Sequence, residues 1–457
     1  MKSIKLSRYN FQFFHDGNYY LYNSFSNALV DAPQEIARLV SGEEDTVDIF
    51  STLSKELLLP LIRGGFLVEA SKNELAQLKV RNRIGRFANR ELGLTIAPTL
   101  DCNFRCSYCF EGHDRSTMSA ETVDAVYDYV LGALQGMQGL GVCWYGGEPL
   151  LAFDTMEKLS SRFIRLCRTL ETPYEADIIS NGYLMSVEKA EKLTRKMGVR
   201  FWQVTLDGPQ EVHDQRRPLH GGEGSFDVVL NNLVATSHLF DRVSVRINID
   251  RTNREHVGEL LDQLEQKGLC DKVTIYFGHV QAIGAACPSF SHHCLSTKEF
   301  SRVEMDLMRQ VADRGWPLSL RPRLKTGVCL VDQVNCYLVD PSGNLAKCWN
   351  CAGVEEERTG TIFDDKPHEN LFRWLSFDPF DDPECLECNM LPICMGGCPY
   401  DKIIAGKKDC FTQKYNLIDR QKLRIDEKKQ AANKKGDRHA RKREEGSGGG
   451  IRKDPVS

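Results

Sequence analysis

Cys102, Cys106 and Cys109 stand in a C-x3-C-x2-C spacing inside the segment TLDCNFRCSYCFEG. Three thiolates on one short loop suit three irons of a cubane cluster and leave the fourth iron open to a small molecule. A zinc site would instead close with a fourth ligand, and His113 is near enough along the chain to supply one. A second array lies toward the C-terminus: Cys329, Cys336, Gly343-x4-Cys348, then Cys385-x2-Cys388-x5-Cys394-x3-Cys398, then Cys410. Eight thiolates suffice for two closed 4Fe–4S clusters. Zinc ribbons would account for the C-x2-C pairs but not for the whole array. Cys351 makes a further C-x2-C with Cys348. The start, MKSIKLSRYNFQFF, lacks a continuous apolar segment, so a cytoplasmic, reducing location is expected. There, 17 cysteines in one chain point to metal or redox work rather than to disulfides.

The elements around the first triad alternate. Strand patterns at Leu92–Pro98, Gly141–Tyr145, Ala176–Ser180, Phe201–Leu206, Val243–Ile249 and Val273–Phe277 are separated by helical patterns. Those helices are expected at Ala120–Leu134, Thr155–Leu170, Ser186–Met197, Phe226–His238 and Arg254–Gln266. A β–α series of this kind forms a parallel sheet with right-handed crossovers, either an open doubly wound sheet or a partial barrel. In both, chemistry gathers at the carboxyl ends of the strands. The triad follows the first strand, Gly146-Gly147-Glu148-Pro149 the second, Ser180-Asn181-Gly182 the third and Leu206-Asp207-Gly208-Pro209 the fourth. Four short polar or glycine-rich signatures thus fall on one face.

This combination resembles the radical S-adenosylmethionine (SAM) superfamily. The resemblance implies a partial (β/α)6 TIM barrel with Cys102, Cys106 and Cys109 as ligands of the SAM-binding cluster and Tyr108 beside them. It places Gly146, Gly147, Glu148 and Pro149 at the SAM amino group, and Asn181, Thr205, Asp207 and Arg246 among further SAM contacts. Arg246 and Asn248 alternate with apolar neighbours on the fifth strand and should face the barrel interior. The C-terminal array resembles the SPASM extension of that superfamily. By that resemblance Cys329, Cys336, Cys348 and Cys398 hold one auxiliary cluster, and Cys385, Cys388, Cys394 and Cys410 the other. The implied chemistry is reductive cleavage of SAM to a 5′-deoxyadenosyl radical that abstracts hydrogen from a substrate.

The domain boundaries expected are 1–88 for an N-terminal α+β unit, 89–320 for the barrel, 321–415 for the cysteine-rich domain and 416–457 for a disordered basic tail. In the first, His15-Asp16-Gly17-Asn18 between aromatic runs signals a hairpin, and helical patterns follow near Pro33–Leu39 and Asp45–Leu53. The unit resembles the leader-binding extension of peptide maturases. In the tail, 12 Lys/Arg against 6 Asp/Glu from Gln421 onward, with few large apolar residues, argue for a solubilising terminus. Neither membrane nor nucleic acid is expected as a partner. The expected partners are a precursor peptide or protein and a low-potential electron donor such as ferredoxin or flavodoxin; the expected cofactors are three 4Fe–4S clusters and SAM. The expected function is a radical SAM peptide maturase installing a thioether or carbon–carbon crosslink. Two alternatives stand beside it: an anaerobic sulfatase-maturating enzyme, and a zinc-bearing, non-catalytic peptide-binding protein. In the sulfatase-maturating family an Asp follows the Gly-x4-Cys cysteine and is thought to act as base; here that position is Trp349.

Overall fold

The computed structural model describes residues 3–41, 54–88, 90–111, 114–283, 288–325, 329–407 and 409–447. The N-terminal unit contains β1 (Ile4–Leu6), β2 (Asn10–His15), β3 (Asn18–Asn23), β4 (Ala28–Ala32), α1 (Gln34–Ser41), α2 (Lys55–Arg63), β5 (Leu67–Glu69) and α3 (Glu74–Phe87). β2, β3 and β4 make an antiparallel sheet, and β1 pairs with β5. The expected hairpin is present, with His15 opposite Asn18. Asp16 and Gly17 take φ of 47° and 76°. A two-residue turn that matches strand twist needs positive φ at both central positions, which Asp-Gly supplies at low cost. The helix expected over 45–53 lies outside the described residues.

The middle of the chain runs β6 (Glu91–Ile96), α4 (Ala120–Ala133), β7 (Gly139–Trp144), α5 (Phe153–Thr169), β8 (Tyr174–Ile179), α6 (Val187–Arg195), β9 (Val199–Thr205), α7 (Gln210–Arg216), α8 (Phe226–Thr236), β10 (Arg242–Ile249), α9 (Val257–Gln266), β11 (Thr274–His279) and α10 (Thr297–Asp313). The six strands lie parallel in strict chain order from β6 to β11. A doubly wound sheet needs a reversal of strand order, and none occurs here, so the architecture is the partial barrel. Trp144, Ile178, Trp202, Val204, Val245 and Ile247 are fully buried in its core. Helix starts follow local chemistry: Ser119 and Ser186 accept from the backbone N–H of Thr122 and Lys189, and Ser296 forms a capping box with Glu299.

The cysteine-rich segment is stitched onto this sheet. β12 (Cys336–Val339) pairs in parallel with β6, with Cys336 opposite Gly93, and β13 (Asn344–Ala346) and β14 (Gly360–Thr361) continue antiparallel. The short helices α11 (Glu369–Leu375), α12 (Pro383–Leu386), α13 (Leu391–Cys394) and α14 (Pro399–Ile403) carry the remaining thiols. The chain then enters α15 (Gln413–Ser447), where a disordered tail from residue 416 was expected. Its first turns are anchored: Leu417 and Ile425 pack with Phe13, Tyr20, Tyr22, Met390 and Ile393. Asn416 donates to Glu304 at 2.8 Å, and Arg420 pairs with the same carboxylate at 2.7 Å, nearly dry. A few anchors set eight residues apart suffice to order a helix against a core, and average composition conceals them. Among the described residues no helix is long and apolar enough to cross a membrane.

Candidate functional site

The site is built where β6 and β7 end. Beyond β7 the chain is zipped to the triad loop by backbone bonds: Gly147 N–H to Thr99 O at 3.2 Å and Glu148 N–H to Asp101 O at 2.9 Å. A Cβ on Gly146 would lie 2.4 Å from Thr99 O, and one on Gly147 2.3 Å from Asp101 O. Both glycines are therefore required for backbone to approach backbone, and Gly146 also has a φ of 115°.

The Glu148 carboxylate is held by hydrogen bonds from two loops. It is fully buried and accepts from Leu150 N–H at 3.0 Å, Ser180 Oγ at 2.8 Å and Asn181 N–H at 2.8 Å. Burial raises its proton affinity, and these donors oppose that shift. Its oxygens tie the β7 loop to the β8 loop. Asp207 is turned inward in the same way. It too is fully buried, accepting from Asn248 N–H at 2.8 Å and from the Tyr108 hydroxyl, with Arg216 Nε 3.6 Å away.

Tyr108 is the hub of this network. Its oxygen also accepts from Arg217 Nη1 at 2.6 Å and Asn248 Nδ2 at 3.0 Å, and the Arg216 guanidinium lies 5.0 Å from its ring centre. Asn248 accepts in turn from Arg246 Nε at 2.7 Å, so both strand residues face inward together. Thr205 sits opposite Arg246 in the β9–β10 register. Asn181 donates to Asn103 at 2.8 Å, with its amide 3.9 Å from Cys102 Sγ. Pro149 opens a buried 3-10 turn. Sequence reasoning assigned no role to Arg217, which donates to the Tyr108 hydroxyl; the segment HDQRRP was its only signal.

The triad cysteines are half-buried, as are most of the auxiliary set, while Cys336 is buried and Cys329, taken as a whole residue, exposed. Burial pushes Cys109 and Cys329 up to about 12, and Cys385 and Cys398 up to about 11. Thiols raised in this way are favoured as thiolates when they bind a positively charged iron centre, which suits an iron–sulfur cluster. Cys329, Cys348 and Cys398 influence one another electrostatically, as do Cys388, Cys394 and Cys410, with Cys385 beside Cys394. The structure thus brings together seven of the eight expected auxiliary ligands in two groups. Cys336 stands apart across buried Lys347: its thiol lies over Gly93 and donates to Gln333 Oε1 at 3.2 Å. Cys351 shares a hydrogen bond with Cys348 instead. Lys347, which the sequence did not single out, donates to the carbonyls of Gln333 and Cys336 at 2.6 and 2.8 Å. Burial pulls its ammonium down to about 7. Between the triad and the first auxiliary group, Trp349 stacks on Tyr145 at 5.0 Å and donates to Thr95 Oγ1 at 2.9 Å. Among the described residues no three His, Cys, Asp or Glu side chains converge to hold a single metal ion. A cubane takes each thiolate on a separate iron, so its ligands need not converge on one centre.

A sequential parallel barrel with three half-buried thiols after its first strand suits a class of enzyme that carries its reagent in a cluster. Residues 96–264 match the family model described as the radical SAM superfamily. Those residues thus resemble a radical SAM domain, a family that implies a 4Fe–4S cluster and SAM. It is 27% identical over 227 residues to Fe-coproporphyrin III synthase of Methanosarcina barkeri, covering 48% of this chain and 52% of that protein. The chain therefore spans about half the length of that relative. It is 23% identical over 353 residues to a cysteine-type anaerobic sulfatase-maturating enzyme of Clostridium perfringens, covering 67% and 88%. Two solved structures share the fold. Native anSMEcpe with bound AdoMet has a TM-score of 0.56 at 18% identity, over 75% of this chain and 99% of that one. Streptococcus suis SuiB bound to precursor peptide SuiA has 0.51 at 16%, over 90% and 99%.

Proposed function

We propose that this chain matures a ribosomally made peptide or protein with three 4Fe–4S clusters, and that it installs a thioether or carbon–carbon crosslink. The observation that carries the reading is the pair of separate thiol groups in the cysteine-rich segment. Cys102, Cys106 and Cys109 would hold the open cluster. Cys329, Cys336, Cys348 and Cys398 would hold one auxiliary cluster, with Cys351 poised as a substitute, and Cys385, Cys388, Cys394 and Cys410 the other. When bound, the open cluster and SAM supply a radical able to abstract hydrogen from an unactivated C–H bond. The chain's own residues position and enclose. Tyr108, Asp207, Arg217 and Asn248 lock the triad loop against β9 and β10, Glu148 locks the β7 loop, and Gly146 and Gly147 allow close backbone approach.

The N-terminal unit would take the leader of the precursor. β4 pairs only with β3 among the described residues, and α2 beside it exposes Leu57, Leu59 and Ile62. An open edge next to an apolar helix face is a site for strand addition. An acidic, low-potential carrier such as ferredoxin or flavodoxin would supply electrons in a reducing cytoplasm.

Sulfatase maturation is the weaker reading. Trp349 occupies the position of that family's proposed base, and its indole N–H is already committed to Thr95. The test is anaerobic cluster reconstitution with metal and sulfide analysis. We expect about 12 iron per chain, and about 8 in Cys102→Ala together with loss of 5′-deoxyadenosine formation. Zinc without iron or sulfide would overturn the reading in favour of a non-catalytic peptide-binding protein. Mass spectrometry of a co-expressed precursor then identifies the bond made.

A further inference from the structure

The 321–325 segment and the start of α15 collect positive charge at the second auxiliary thiol group. Arg321, Arg323, Lys414 and Lys428 are exposed, and Lys325 and Arg424 half-buried. Among the described residues none of the six is in a salt bridge. Two touch the thiol group or its cover: Lys414 Nζ lies 3.4 Å from Cys410 Sγ, and Lys325 Nζ 4.5 Å from the Phe411 ring centre. Leu324 and Ile418, on the same two segments, pack with Cys388 and Cys394. The cations also feel one another. Arg424 is held below its ordinary range by burial and by Arg321, and Lys428 by burial, Arg424 and Arg321. Like charges kept this close, without a compensating carboxylate, are a cost to the isolated chain, and an acidic partner would relieve it. Phe411 and Tyr415, both more than a third exposed, add aromatic surface among the charges.

We propose that this face docks an acidic one-electron carrier protein, placing the carrier's redox centre against the cluster held by Cys385, Cys388, Cys394 and Cys410. One electron passes from the reduced carrier to the oxidised cluster, and no bond is made or broken. The inference rests on the proposed auxiliary cluster for its redox role, while the docking surface stands on the cations alone. A peptide is disfavoured as occupant because the charge centres on thiols rather than on the edge of β4.

The test measures binding of a bacterial flavodoxin to the intact, cluster-loaded protein at rising salt, and the rate of cluster reduction by that flavodoxin. The triple variant R321E/R323E/K428E and its neutral form R321Q/R323Q/K428Q are compared with the parent. Expected are an affinity that falls with salt, a loss of about tenfold or more in affinity and reduction rate for the reversed triple, and an intermediate loss for the neutral one. Reduction by the small reductant titanium(III) citrate should be equal in all three. An unchanged flavodoxin affinity and salt slope in the reversed triple would overturn the proposal. So would binding of an acidic precursor peptide, and not of flavodoxin, through these residues. Iron analysis separates the two claims. About 4 iron per chain with salt-sensitive, variant-sensitive binding would keep the surface and remove the auxiliary cluster.

Discussion

Glu148→Gln separates a structural lock from a direct cofactor ligand. In the native protein the carboxylate receives three donors at 2.8–3.0 Å: Leu150 N–H and Ser180 Oγ on one oxygen, and Asn181 N–H on the other. A Gln amide oxygen can keep the first two. Its NH2 group then faces the Asn181 N–H, donor against donor. One buried backbone N–H and one amide hydrogen lose their partners, at about 1–3 kcal/mol each. Removing a buried charge returns part of this, which leaves a loss of about 2–4 kcal/mol. For a domain of this size that is on the order of 5–10 °C in melting temperature. Glu148→Ala leaves three donors unpaired and should lose more. The assay is thermal unfolding of each variant without iron, beside SAM affinity of the iron-loaded form by equilibrium dialysis. A stability within about 0.5 kcal/mol of the parent, with SAM binding nonetheless reduced, would refute the lock and restore the carboxylate as a ligand.

Arg216→Met should destabilise by about 3–5 kcal/mol, because it strips the cation 2.6 Å from Asp250 and 3.6 Å from Asp207, both fully buried; a loss under 1 kcal/mol in urea unfolding would contradict this. His213 is held well below its ordinary range, first by burial and then by Arg217 and Arg216. Its Nδ1 accepts from Asp207 N–H at 3.2 Å, so the neutral form is the one that fits. The folded state binds this proton less readily than the unfolded chain. Stability from His213 is therefore complete above the unfolded value near 6.5 and drains away as pH falls below it, by about 1.4 kcal/mol per pH unit. Urea titrations from pH 7.5 to 5.0 should show a slope shallower by about one proton in His213→Gln; an identical slope would exclude this source. Leu57→Asp with Ile62→Asp, both on exposed positions, should leave folding and iron content unchanged and weaken precursor leader binding about tenfold, read by fluorescence anisotropy. Equal affinity would move the leader elsewhere.

The positions of the barrel strands were legible because a period of two and a period of 3.6 leave different marks on apolar residues, and Ser and Gly mark the ends. The placement of four polar signatures at strand carboxyl ends followed from that register alone. The fate of Glu148 did not. Its three donors come from two loops that meet only when β7 and β8 lie side by side, and no spacing near residue 148 encodes them. Cys336 illustrates the same limit. No spacing near residue 336 shows that it pairs opposite Gly93 with its thiol over the glycine. The tail was misread because composition averages over a window, while Leu417, Arg420 and Ile425 act one at a time on a preformed surface.

By itself the sequence determined which atoms are available: three thiols on one loop, eight in an ordered array, and glycines where backbone must meet backbone. Those properties depend on residue type and short spacing, which local chain geometry preserves. Only the tertiary structure decided which polar groups face one another. It chose the barrel over the open sheet through the order of the strands, turned two carboxylates inward, and set Arg217 and Lys347 beside the thiols. Such partners are distant along the chain, and their hydrogen bonds and charges act within a few ångströms, so they exist only once the fold has brought them together.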